Sequence, residues 1–405
     1  MSSSKLKTNG NWLTWARKMS DYKIDAIAKK MKVDLNTVSQ WEKTGDIDYD
    51  NLIKLSNHYN RSPMLFFNIN NPDLKEQTTP DFRTKGDKKE KLSFDIIKVL
   101  QNANNKRENL ISLEEELDDY EFPIFQLNSS TENVNKLAEY VRKIIGMKKS
   151  QIDVIKSQEK ALDHWIGKIE KLGVLIFQFY DVKISEMRGY ALYHEKLPII
   201  GINNKEHPNG KKFTLFHELV HLIIRKEGIS NLNKFDIENK TEIFCNAVAG
   251  EILIPQKIFE TKLNDDYDNV NKWNDKQIYE LSKYFKVSNE VILRKLLISK
   301  KISSKYYNLK KKEWEEMYIA IQTKKQYEKK KNHEKSKQIQ NELKHDHYIR
   351  QATQALRKNG NLYTNLVLEA YDSKLITNKT LSDYLEVNLQ IIGEIRNKLK
   401  SGDIE

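Results

Sequence analysis

The run His217-Glu218-Leu219-Val220-His221 is the part of this 405-residue sequence whose residue types and spacing could do chemistry. On an α-helix, a spacing of four puts His217 and His221 on one face, one turn apart. Two imidazoles so placed can share a Zn2+ at about 2.0–2.1 Å each. Glu218 lies one position round the helix, beside such a metal rather than on it, where a general base for an attacking water belongs. Zinc lowers the pKa of a bound water to about 7, and Glu218 could take the proton and pass it to a leaving amine. Phe213, Leu215, Phe216, Leu219, Val220, Leu222, Ile223 and Ile224 make the helix apolar on nearly all sides, which predicts burial. Two histidines and a glutamate buried there need partners, and a metal supplies one.

A catalytic zinc usually takes three protein ligands and leaves the fourth position open. The downstream candidates are Glu227, Asp236, Glu238, Glu242 and Glu251. Glu227 follows too closely, next to Gly228, which reads as a turn. Glu238 and Glu242 stand one turn apart at the start of a second apolar helix, expected over about 240–253 and stopped by Pro255. On that helix Glu242, Cys245, Asn246 and Ala249 share one face. Spacing alone gives Glu242 a modest lead and leaves Glu238 open. Asn246 could orient a ligand or bind substrate backbone. Tyr190, with His194 near it, could donate to an oxyanion across the cleft, although packing is the commoner role for each. Cys245 reads as a small buried apolar residue. His164, His207, His333, His345 and His347 lack a partner at ligand spacing and read as surface residues.

The elements that must position this site are legible in part. GVLIFQFY (173–180) and LPIIGIN (197–203) are short apolar runs bounded by turn residues and read as strands. Residues 91–170 carry helical periodicity. Before them, residues 12–68 read as a compact helical unit with apolar stripes at Ile24, Ile27, Ala28 and Met31, then Leu35, Val38 and Trp41, then Leu52, Leu55, Ser56 and Tyr59. Two short helices with a tight turn make a helix-turn-helix, whose second helix would present Asn36, Thr37, Gln40 and Lys43 to a DNA groove. Lys23 and Ile24, however, stand where a polar cap and a Gln are usual, and IDYDNL replaces the usual Pro-Thr. Both departures weaken caps and phosphate contacts. The module could equally grip a protein or hold a peptidase shut. The grammar of IAKKMKVDLNTV (27–38) returns in LSKYFKVSNEVI (281–292) and LSDYLEVNLQII (381–392). Residues 68–90 read as a linker, and the Lys-rich stretch 300–347 as a nucleic-acid surface or a solvated helix face.

The net charge of +12 favours an anionic partner without choosing one. One cysteine excludes an internal disulfide and fits a reducing, cytoplasmic compartment. No run of about 18 apolar residues predicts a membrane span.

PIIGIN, then FTLFHELVHLII, then TEIFCNAVAGEILIP closely resembles the ImmA/IrrE metallopeptidase family over about residues 130–300. The resemblance implies that Glu242 is the third zinc ligand, and RGYALY (188–193) matches the segment that the family places before its strand. The helical head with Trp41-Glu42, then PDFRT (80–84), then the peptidase, resembles the XRE-ImmA architecture. Its implied substrate is a helix-turn-helix repressor of a mobile element, stress or defence system. The expected fold is α+β, mostly α: a helix-turn-helix head (1–70), a connector (71–129), a zincin-like core with a small sheet (130–300) and a helical tail (301–405). The expected function is a Zn2+-dependent endopeptidase acting on a regulatory protein. The other readings are a DNA-binding regulator with a sensory or inactive peptidase module, and the toxin of a toxin–antitoxin or phage-defence pair.

Overall fold

A computed structural model of the chain describes residues 5–20, 22–59, 61, 63–70, 93–116, 125–147, 158–225, 228–230, 240–267, 273–314, 316–317 and 344–401. The chain divides into two compact units, Met1–Asn104 and Asn105–Glu405. The linker motif PDFRT, the carboxylates Glu227, Asp236 and Glu238, and His333 lie outside the described residues, as does the side chain of His345.

The first unit is built from β1 (Lys5–Lys7), α1 (Gly10–Met19), α2 (Ile24–Met31), α3 (Leu35–Thr44), β2 (Asp46–Asp48) and α4 (Tyr49–Tyr59). Most residues of the apolar stripes expected from the sequence form its core, with Ile27, Val38, Trp41, Leu52 and Leu55 buried against Trp12 and Leu13; Leu35, at the start of α3, is exposed instead. Arg17 clamps α1 to α3 by donating to both carboxylate oxygens of Glu42, at 2.6 and 3.0 Å. The segment IDYDNL, in place of a Pro-Thr turn, enters β2, which pairs antiparallel with β1. The pairing needs Gly45: its φ is +73°, and a Cβ would collide with the Thr8 carbonyl. Lys23 caps α2 without a side-chain hydrogen bond, as the missing polar residue predicts.

The second unit starts within α5 (Phe94–Glu116) and continues through α6 (Val134–Ile144), α7 (Gln158–Glu170), β3 (Leu175–Phe179), β4 (Gly189–Leu192), β5 (Ile199–Asn203), α8 (Pro208–Ile223), β6 (Gly228–Ser230), α9 (Lys240–Leu253), α10 (Gln256–Tyr267), α11 (Asp275–Phe285) and α12 (Asn289–Ile298). After a further helix over 304–314, the chain ends in α13 (Lys344–Asn359), α14 (Asn361–Asp372), α15 (Asn378–Leu385) and α16 (Ile392–Ser401). The sheet order is β3-β5-β4-β6, with β3 parallel to β5 and β4 antiparallel to both neighbours. Gly228 therefore sits in a strand and not in a turn. Its run is too short to show an alternation in sequence.

Every residue of β3, β4 and β5 is buried, so both sheet faces are covered. On one face Ile176, Ala191, Ile200 and Ile202 join Leu215, Phe216 and Leu219 of α8. On the other, Phe177 meets the Tyr363 ring edge-on at 5.9 Å, and the Lys106 ammonium lies 5.4 Å from the Phe177 ring. The C-terminal helices thus lie in the same unit as the strands. The physical reason is the apolar second face of the sheet, which must be removed from water.

The three echoed segments share one turn. Lys32, Lys286 and Glu386 adopt left-handed conformations with φ of 56°, 55° and 54°. The following valines, Val33, Val287 and Val387, donate to Ala28, Ser282 and Ser382 at 3.1, 3.0 and 3.1 Å. This is the hydrogen-bond pattern that closes a helix C-terminus and redirects the chain. No helix among the described residues is long and apolar enough to cross a membrane.

Glu170, the last residue of α7, joins that helix to the C-terminal helices. Its Oε1 accepts from the backbone N–H groups of Asn361 and Leu362 at 2.7 and 3.1 Å, capping α14. Burial pushes its carboxyl up to about 7, against the pull of those two donors. A carboxyl raised above its unfolded value is more stable protonated, so its contribution to stability is present at low pH. That contribution is lost as pH climbs from about 4.5 towards about 7. Glu170→Gln, which keeps the acceptor, should flatten that part of the urea-unfolding profile against pH. Glu170→Ala should cost about 1–3 kcal/mol throughout, because the two N–H groups lose their acceptor.

Candidate metal centre

Helix α8 carries the site, and its start is fixed four times over. Pro208 occupies a first-turn position where its missing N–H is no loss. His207 is exposed, and its Nδ1 accepts from the Asn209 N–H at 3.3 Å. The Asn209 side chain donates to the Val287 carbonyl at 3.0 Å, and the Lys212 ammonium to the carbonyl of Lys286. The left-handed turn after α11 thus presents two carbonyls to the first turn of α8. From Lys211 to Ile223 every residue of α8 is buried.

In that dry interior His217 and His221 bring their Nε2 atoms to 3.1 Å from each other. Glu242, on the first turn of α9, closes the group. Its Oε2 lies 3.1 Å from His217 Nε2, and its Oε1 lies 3.1 Å from His221 Nε2. Among the described residues these three form the cluster able to hold a metal ion. A tetrahedral cation with bonds of about 2.0–2.1 Å needs donors roughly 3.3 Å apart, so the observed spacing fits one.

The electrostatics point the same way. Burial raises the Glu242 carboxyl, but hydrogen bonds from His217 and His221 outweigh it and hold the group well below the usual carboxylate range. Burial lowers His217. Burial would lower His221 too, but hydrogen bonds to Cys245 and then Glu242 carry it well above its ordinary value. Two imidazoles and a carboxylate thus make a place that draws in positive charge. Cys245 is fully buried beside His221, and burial keeps its thiol neutral by raising its pKa. Asn246 follows one turn after Glu242 on α9, near enough to His217 to act against the lowering of that imidazole. Glu251, the remaining described candidate ligand, is committed elsewhere: it pairs with Lys295 at 2.6 Å and accepts from the Gln256 N–H at 2.7 Å.

Glu218 is also fully buried. It faces strand β4, where a Cβ on Gly189 would stand 2.8 Å from Glu218 Oε1. Tyr190 is not one of the clustered three, although the Glu218 charge reaches its phenol. Side chains alternate along β4, so Gly189 and Ala191 face α8 and Tyr190 faces away. Its ring lies across Gly201 and stacks on Phe179 at 5.7 Å, and burial raises its phenol well above the ordinary value. His194 is likewise outside the trio, lowered to about 4 by burial and then by Arg107. His164 is not a surface residue: it is half-buried against the Trp165 ring at 4.7 Å.

Sequence reasoning missed the neighbours of Glu218. Thr214 is fully buried and donates to Glu206 Oε2 at 3.0 Å, and Glu206 Oε1 accepts from Arg188 at 2.7 Å. The available signal was Thr214, one helical turn before Glu218. In the first unit Asn36, Gln40 and Lys43 are exposed along α3, and Thr37 is half-buried.

No curated protein and no solved structure matches the chain. A peptidase family model, described as the IrrE N-terminal-like domain, matches residues 169–297. That span holds all four strands of the sheet, the helix of His217 and His221, and the helix of Glu242. Over residues 169–297 the chain is thus similar to the IrrE N-terminal-like domain family of peptidases.

Proposed function

We propose that this chain is a zinc-dependent endopeptidase that cleaves a regulatory protein, with a helix-turn-helix repressor of a mobile element, stress or defence system as the substrate class. The observation that carries the proposal is the convergence of His217, His221 and Glu242 with Glu218 buried beside them. Two nitrogens and one carboxylate oxygen are a donor set that zinc accepts, with the fourth position left for chemistry. Zinc bound there supplies Lewis acidity to the scissile carbonyl and the attacking water. Glu218, next to His217 in the chain yet turned towards β4, removes the proton from that water and returns it to the leaving amine. Asn246 steadies His217 from the neighbouring turn. The repressor as substrate is supported by the resemblance to the two-module XRE-ImmA architecture.

A second reading is favoured by the head. Asn36, Gln40 and Lys43 form an exposed row on α3, the helix that the sequence reads as the second of a helix-turn-helix. That row could read DNA, which makes the chain a regulator that carries its own peptidase.

Three outcomes test these readings. Protein purified with zinc should hold about one ion per chain by elemental analysis. Glu242→Ala and His221→Ala should each lose it, and chelation should lower the melting temperature of the wild type. Glu218→Gln should keep the metal while slowing cleavage by about 10²–10⁴-fold, measured on a partner fragment identified by co-expression and mass spectrometry. If the head reads DNA, Lys43→Glu should weaken full-chain binding to duplexes in fluorescence anisotropy and reduce its salt slope by about one. Equal binding by both proteins would sink the second reading.

A further inference from the structure

Gly189 is a glycine without a conformational reason. Its φ is not in the left-handed region, and it sits in a regular strand, paired with Ile202 of β5 and Ser230 of β6. What it supplies is room. A Cβ at this position would collide with Thr214 Cγ2, stand 2.8 Å from Glu218 Oε1 and 3.0 Å from the Gly201 carbonyl. The strand backbone therefore lies directly against the Glu218 carboxylate. Pairing on both edges prevents that backbone from retreating.

The helix side of this contact is locked as well. The Thr214 hydroxyl donates to Glu206 Oε2 at 3.0 Å, which turns its methyl group towards Gly189. Glu206 is buried, and its other oxygen accepts from Arg188 at 2.7 Å. Arg188 is the residue before Gly189. The contacts form a closed circuit: Arg188 to Glu206, Glu206 to Thr214, Thr214 to Gly189, and Gly189 back to Arg188 through the peptide bond. None of the four residues belongs to the metal-binding trio.

We propose that this circuit is a positioning device for Glu218, with Gly189 as the backstop that sets where its carboxylate can stand. The proposal rests on the reading of Glu218 as the base beside a bound metal. A base must sit within hydrogen-bond reach of the proton it takes, and a rigid surround is what keeps a flexible Glu side chain there. A methyl group at position 189 collides with Thr214 Cγ2 and meets the carboxylate at 2.8 Å, so it pushes on Glu218 both directly and through the threonine that flanks it.

The test uses full-length protein loaded with Co2+, whose visible spectrum reports the ligand set, and acetohydroxamate as the probe. A hydroxamate chelates the metal and passes its hydroxyl proton to a neighbouring carboxylate, so its affinity reads the position of Glu218 without a known substrate. Gly189→Ala should take up cobalt with an unchanged spectrum and bind acetohydroxamate at least about tenfold more weakly. Thr214→Val, which keeps the shape but breaks the bond to Glu206, should weaken the probe about threefold, and Thr214→Ser should restore wild-type affinity. Wild-type affinity in Gly189→Ala overturns the proposal. If that variant does not fold, unchanged affinity in Thr214→Val overturns it instead. The underlying reading fails separately and visibly: wild-type protein would bind no cobalt, or Glu218→Gln would bind acetohydroxamate as tightly as wild type.

Discussion

Everything around the site follows from burying two imidazoles within 3.1 Å of each other and of a half-buried carboxylate. Groups of this kind lose their hydration on burial and recover it only through each other or through a cation. The chain meets this cost with a helix buried along thirteen consecutive residues, from Lys211 to Ile223. Such a helix cannot lie on a surface, so the sheet must cover one side of it and α9 another. The position of Glu242 on the first turn of α9 is then decisive, because that helix carries the third donor into the space opposite the two histidines.

Holding such a helix still is the task of structures far away in sequence. The turn between α11 and α12 offers the carbonyls of Lys286 and Val287 to Lys212 and Asn209. The left-handed turn that joins α2 to α3 in the first unit recurs here as a bracket for the helix of His217 and His221. The same backbone geometry recurs at Glu386 in the C-terminal helices, which cover the far face of the sheet. One local solution, a left-handed residue followed by a valine whose N–H closes the helix, thus has different surroundings each time it appears.

The two histidines, their shared face, the adjacent glutamate and the span of α9 were all legible in the sequence. Each depends on spacing within one element, and helical periodicity reports that directly. The strands β3 and β5 were legible for the same reason, as short apolar runs. Strands β4 and β6 were not read as strands, being four and three residues long with no alternation to detect. The sequence leaves Tyr190 open between packing and an oxyanion donor, because a run of four residues does not say which face of a strand a side chain takes.

The sequence by itself determined that a helix would present two imidazoles one turn apart in an apolar setting, and that a second helix would follow with a carboxylate, a thiol and an amide on one face. Tertiary structure alone decided that Glu242 reaches both histidines, that Tyr190 turns away, that the terminal helices cap the sheet, and that Gly189 backs Glu218. The division has a physical cause. Periodicity is a property of neighbours along the chain, whereas convergence depends on how packed elements approach in space, and no local pattern encodes that distance.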